Sequence, residues 1–118
     1  MILDTIVLDT FAALAERRAA LSESALRERL AEAPPARDLP AALRPPGAEE
    51  AGRVAIIAEV KRASPSRGAL NLALDSGEQA VLYARAGAAA VSVLTEEAHF
   101  RGSLEDLRQA RAALDRAG

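Results

Sequence analysis

The sequence predicts an α/β chain, in which two strand–helix units follow a helical N-terminal segment. Three observations carry that reading. The apolar run Val54-Ala55-Ile56-Ile57-Ala58 has the composition of a buried parallel strand. A second run, Ala89-Ala90-Val91-Ser92-Val93-Leu94, lies about 37 residues on, the spacing of a βαβ crossover. The first 50 residues hold helical patterns and proline joints but no strand pattern.

The elements follow in order. Residues 4 to about 21 form an amphipathic helix, with Asp4 as its N-cap and Ile6, Val7, Phe11, Leu14 and Ala15 on one face. Ser22 or Ser24 caps a second short helix, in which Leu26 and Leu30 sit four residues apart. Pro34 and Pro35 stop it. Asp38-Leu39-Pro40 opens one more turn through Ala42. The first strand spans about 53–60 and a loop runs to about Leu74. Asp75 or Ser76 caps a helix to about Ala86, with Ala80, Val81 and Ala84 inward and Gly87 at its C′ position. The second strand and a loop from Thr95 to Gly102 follow. Ser103 then caps the last helix, with Asp106 three residues on as a near capping box.

The chemistry concentrates where the first strand ends. Glu59 and Lys61 alternate along it and so face the same way. The loop Arg62-Ala63-Ser64-Pro65-Ser66-Arg67-Gly68 then breaks the strand. A carboxylate and an ammonium at the C-terminal end of a buried strand occupy the place where α/β barrels and open sheets carry their sites. Of 15 Lys and Arg residues, only Lys61 is lysine. Arginine serves wherever a solvated charge is enough, whereas a lysine can exchange a proton when desolvated. Its single use here points to a need for an amine. The alternative is an ordinary Glu–Lys pair at a strand end.

Composition narrows the classes. The chain has 118 residues, 50% of them hydrophobic but only 3% aromatic, so a core is built from small side chains. A net charge of -2 with no basic stripe argues against nucleic-acid binding. No apolar run reaches the ~20 residues of a membrane span, and no signal-peptide pattern opens the chain. With no cysteine and one histidine, His99, disulfides and a histidine-based metal site are not expected. A soluble, cytoplasmic protein is the expectation.

These residues resemble one family. Ile57-Ala58-Glu59-Val60-Lys61-Arg62-Ala63-Ser64-Pro65-Ser66 is similar to the first-strand signature of indole-3-glycerol phosphate synthase, a (β/α)₈ enzyme of tryptophan biosynthesis. A second stretch, Tyr83-Ala84-Arg85-Ala86-Gly87-Ala88 followed by Val91-Ser92-Val93-Leu94-Thr95-Glu96 and Phe100-Arg101-Gly102-Ser103, resembles the same family in order. Ile2-Leu3-Asp4-Thr5-Ile6-Val7 is similar to the helix that precedes its barrel. The resemblance implies the N-terminal part of a TIM barrel: a helical extension over residues 1–50 and the first two βα units over 51–118.

It also implies a reaction, ring closure of 1-(2-carboxyphenylamino)-1-deoxyribulose 5-phosphate with loss of CO₂ and water. A carbonyl must be protonated and a hydroxyl must leave, so general acids are needed. By the resemblance, Lys61 contacts the anionic substrate and transfers a proton, and Glu59 holds that lysine and belongs to the catalytic set. Ser64 lies close to the substrate, and Phe100 packs on the anthranilate ring. No cofactor or metal is implied.

The pattern departs from the family's in two respects. Leu74-Asp75-Ser76 stands where an aromatic-Asp-Pro is common. The family's second catalytic lysine, its general-base glutamate and its main phosphate-binding residues belong to strands 3, 4, 7 and 8, so the 118-residue chain is expected to be inactive alone. The alternatives are a non-catalytic half of a split or self-associating barrel, or a related phosphate-binding barrel such as phosphoribosylanthranilate isomerase. Among the remaining residues, Ser66 reads as a turn residue, Arg62 and Arg67 as solvated cations with a phosphate contact as the alternative, and Phe100 as packing residue or ligand contact. Glu96 and Glu97 read as structural, and Tyr83 as a core residue whose hydroxyl reaches the helix end.

Overall fold

The computed structural model describes residues 1–49 and 51–118. Residue 50, the expected end of the helical extension, lies outside them. The described chain divides into two compact units, residues 1–37 and 38–118. The first unit holds α1 (Ile2–Ala20) and α2 (Glu23–Leu30). The second holds α3 (Leu39–Leu43), β1 (Ile57–Val60), β2 (Ala63–Ser64), β3 (Gly68–Ala69), α4 (Ser76–Arg85), β4 (Ala90–Val93) and α5 (Leu104–Ala117).

Short polar side chains start the helices. Ser22 Oγ accepts the Ala25 N–H at 3.2 Å, Asp38 Oδ1 that of Ala41 at 2.9 Å, Asp75 Oδ1 that of Glu78 at 2.8 Å and Ser103 Oγ that of Asp106 at 3.1 Å. Each fills one of the donors a first helical turn leaves open. Asp4 is different from expectation. The helix starts at Ile2, so Asp4 sits in its first turn and pairs with the Met1 amine at 3.3 Å. α4 closes on Gly87 at φ +95, with Ala88 N–H donating to Tyr83 O and Gly87 N–H to Ala84 O. That is the left-handed C′ glycine the sequence called for.

β1 and β4 pair in parallel, with Ile57 opposite Ala90, Ala58 opposite Val91, Glu59 opposite Ser92 and Val60 opposite Val93. Paired residues share a face of the sheet. One face therefore carries Ile57, Glu59, Ala90 and Ser92, and the other carries Ala58, Val60, Val91 and Val93. α4 packs on the sheet and α5 packs on α4. The buried apolar residues are small ones, Val60, Ala63, Ala80 and Ala110. Gly77 lets the two helices approach, since a Cβ there would lie 3.1 Å from the Ala113 Cβ.

The expected buried strand is only half realised. β1 begins at Ile57 rather than near residue 53, and Ile57 is 52% exposed while Val60 is 2% exposed. The helices cover one face of a two-stranded sheet, so alternate residues of an apolar run remain uncovered. The loop after β1 also contains structure that was not expected. Ser64-Pro65-Ser66-Arg67 is a tight turn closed by Arg67 N–H on Ser64 O at 3.3 Å, and Gly68 follows at φ +65. Proline at the second turn position and glycine in the left-handed region form the short β2–β3 hairpin.

Candidate active site

Glu59 and Lys61 meet on the open face. Lys61 Nζ lies 2.7 Å from Glu59 Oε1. The two side chains are 33% and 42% exposed, so the pair contributes only about 0.2–1 kcal/mol to stability. Its value is positional. Glu59 Oε2 accepts the Ser92 hydroxyl at 3.3 Å, from the strand residue directly opposite. The Tyr83 hydroxyl donates to the Glu59 carbonyl at 3.3 Å. It therefore reaches the sheet rather than its own helix end. Side chain and backbone of Glu59 are both held.

The Phe100 ring borders the lysine on another side, with Nζ 5.9 Å from its centroid. That is near the ~6 Å limit of a cation–π contact. Glu59 thus fixes the ammonium and Phe100 provides an aromatic wall. An ammonium has three donors. With one on Glu59, the group retains capacity for a ligand oxygen.

Ser64 spends its hydroxyl within its own turn rather than on this cluster. Its Oγ accepts the Arg67 N–H at 3.3 Å and lies 3.5 Å from Ser66 Oγ, within its own turn. Ser66 is a turn residue, as read.

Arg62 departs from its reading as a solvated cation. Its Nη1 donates to Asp106 Oδ2, and its Nε and Nη2 donate to Leu74 O at 3.2 and 2.8 Å. Its own carbonyl accepts Leu70 and Asn71 N–H at 2.8 and 3.0 Å. One residue therefore ties both ends of the loop between β1 and α4. The hydrogen bond from Arg62 holds the Asp106 carboxyl below the usual carboxylate range against the opposing effect of burial, with Ser103 and Ser76 assisting. The same bond pushes the Arg62 pKa up.

Sequence reasoning assigned no task to Ser92, and read Arg62 as a solvated cation or phosphate contact rather than as a tie between segments. For Ser92 the signal was a hydroxyl interrupting an apolar strand. For Arg62 there was none, because its partner is 44 residues away.

A family model described as indole-3-glycerol phosphate synthase matches residues 3–117. The chain belongs to the indole-3-glycerol phosphate synthase family. It is 47% identical over 113 residues to a protein of that name from Mycolicibacterium smegmatis, covering 96% of this chain and 39% of the relative. It is 48% identical over 114 residues to the one from Streptomyces griseus, covering 97% of this chain and 40% of the relative. With the one from Parafrankia sp. it shares 51% identity over 102 residues, covering 86% and 36%. The chain spans about two-fifths of the length of these relatives. The match to the synthase family sets aside the isomerase alternative. The described α/β units are consistent with part of a synthase barrel domain. Among the described residues, no helix is long and apolar enough to cross a membrane.

Proposed function

We propose that this chain supplies one part of an indole-3-glycerol phosphate synthase site, in a (β/α)₈ barrel whose first two βα units are residues 51–118 and whose helical extension is residues 1–50. The reaction closes the indole ring of 1-(2-carboxyphenylamino)-1-deoxyribulose 5-phosphate with loss of CO₂ and water. Lys61 meets the substrate's anionic group and donates a proton to oxygen. Glu59 fixes where that ammonium sits. Phe100 packs on the carboxyphenyl ring, and Ser64 lines the loop beside the substrate. The observation that supports this most is the Lys61 ammonium between a carboxylate at 2.7 Å and an aromatic ring at 5.9 Å. A carboxyphenyl substrate offers an anion and a ring to those two groups. The relatives' name supplies the reaction.

The test is a chimera joining this chain to the part of the Streptomyces griseus relative that it does not match. The chimera should form indole-3-glycerol phosphate, and the 118-residue chain alone should form little or none. Lys61→Ala in the chimera should lower the rate at least about 100-fold, as expected for a proton-transfer group. A Lys61→Ala chimera with unchanged rate would remove Lys61 from the reaction.

A second reading, a split or self-associating barrel half, draws on the exposed apolar residues Ile56 and Ile57 beside the open sheet face. Gel filtration separates the two, because a folded monomer at high concentration argues against self-association.

A further inference from the structure

We infer that Glu96 is a positioning residue, whose carboxylate fixes the loop after β4 and thereby holds Phe100 beside Lys61. The loop from Thr95 to Ser103 contains neither helix nor strand. One side chain gathers the backbone donors at its centre. Glu96 Oε1 accepts the Ala98 N–H at 3.1 Å, and Oε2 accepts those of His99 and Phe100 at 2.7 and 3.0 Å. Three consecutive backbone donors converge on one carboxylate. Hydrogen bonds to an ionised acceptor are about twice as strong as neutral ones.

The rest of the loop is closed around the same residue. Glu96 O accepts the Gly102 N–H at 2.9 Å. Arg101 adopts φ +57, which few residues other than glycine do. Gly102 lies so close to β4 that a Cβ would stand 1.9 Å from Leu94 O. The loop is pinned at its start by the carboxylate and at its end by this approach. Phe100 sits between the two pins, and its own N–H is one of those Glu96 holds. An exposed cation–π contact is worth only about 0.5–1 kcal/mol and cannot by itself order such a loop. The carboxylate supplies the three bonds nearest Phe100, beside the backbone bonds of Arg101 N–H to Glu97 O and Gly102 N–H to Glu96 O.

The role is distinct from that of Glu59. Both residues are carboxylates near Phe100 or Lys61, but Glu96 spends its oxygens on backbone amides and Glu59 spends its own on Lys61 and Ser92. The importance of the Glu96 cage to turnover rests on the proposed synthase reading. The geometry itself can be tested without any substrate.

Lys61 is the only lysine, so ¹³C-lysine labelling of the chain gives a single set of side-chain signals. In the unsubstituted chain the Phe100 ring current should shift the Lys61 ε-methylene protons upfield. Phe100→Leu should abolish that shift. Glu96→Gln should abolish it too, because an amide presents an N–H to one of the three donors. Amide exchange at Ala98, His99 and Phe100 should quicken at least about tenfold in Glu96→Gln, with protection in α4 and α5 unchanged. If Glu96→Gln does not fold, Glu96→Asp is read in the same way, since its shorter carboxylate cannot reach all three amides. The inference is overturned if Phe100→Leu moves the Lys61 signals and the folded Glu96 variant leaves them in place. It is equally overturned if Phe100→Leu has no effect on them. An inactive chimera would defeat the synthase reading and leave this measurement standing.

Discussion

Arg62 and Asp106 form an ion pair between the loop after β1 and the first turn of α5, with side chains 18% and 8% exposed. Lys61 precedes Arg62, and Asp106 stands six residues beyond Phe100. The pair therefore joins the segments that carry the two halves of the Lys61–Phe100 contact. Ser103 Oγ donates to Asp106 Oδ2 at 3.0 Å, so the carboxylate is shared between the guanidinium and the helix cap.

Breaking this pair leaves a largely buried charge without its partner. Asp106→Asn should destabilise the chain by about 3 kcal/mol, as for removal of one member of a buried pair. The same change should free the loop that Arg62 ties. Denaturant unfolding measures the first effect, and amide exchange at Leu70 and Asn71 measures the second. The pH dependence has a definite sign. Asp106 has a lowered pKa in the folded chain, so its contribution is complete above the unfolded value of about 3.9 and is lost as pH falls through the folded value. Unfolding midpoints should drop on acidification below about pH 4, and less steeply in Asp106→Asn.

The hydrogen bond from Ser92 to Glu59 is partly exposed and worth about 0.5–1.5 kcal/mol. Ser92→Ala should lower the melting temperature by only a few degrees. In the chimeric synthase it should lower kcat several-fold while KM changes little, because Glu59 loses the partner that orients it toward Lys61. Ser92→Thr, which keeps the hydroxyl, should restore the rate. Equal kcat in Ser92→Ala and the unsubstituted chimera would show that Lys61 alone orients Glu59.

Gly102 admits no side chain. Gly102→Ala should cost about 3 kcal/mol or more, at the upper end of overpacking, because its obstacle is the Leu94 carbonyl rather than a flexible side chain. Thermal unfolding checks the loss. A variant as stable as the unsubstituted chain would mean that the loop has another way past β4.

The sequence by itself determined the local events. Ser103 was readable as a cap, and Ser22 and Asp75 each as one of two candidates, because capping is settled within three residues. Gly87 was readable because only a left-handed residue closes that helix end. The Glu59–Lys61 pairing followed from the two-residue period of a strand. The β2–β3 hairpin was written in Pro65 and Gly68 but hidden by reading the segment only as a strand breaker. Other decisions belonged to the tertiary structure alone. The parallel register brought Ser92 to Glu59. Packing of α5 gave Arg62 a carboxylate in place of solvent. The reason is the same in each case. A cap or an alternation is fixed by residues a few positions apart, whereas a buried ion pair exists only once two distant segments have excluded water together.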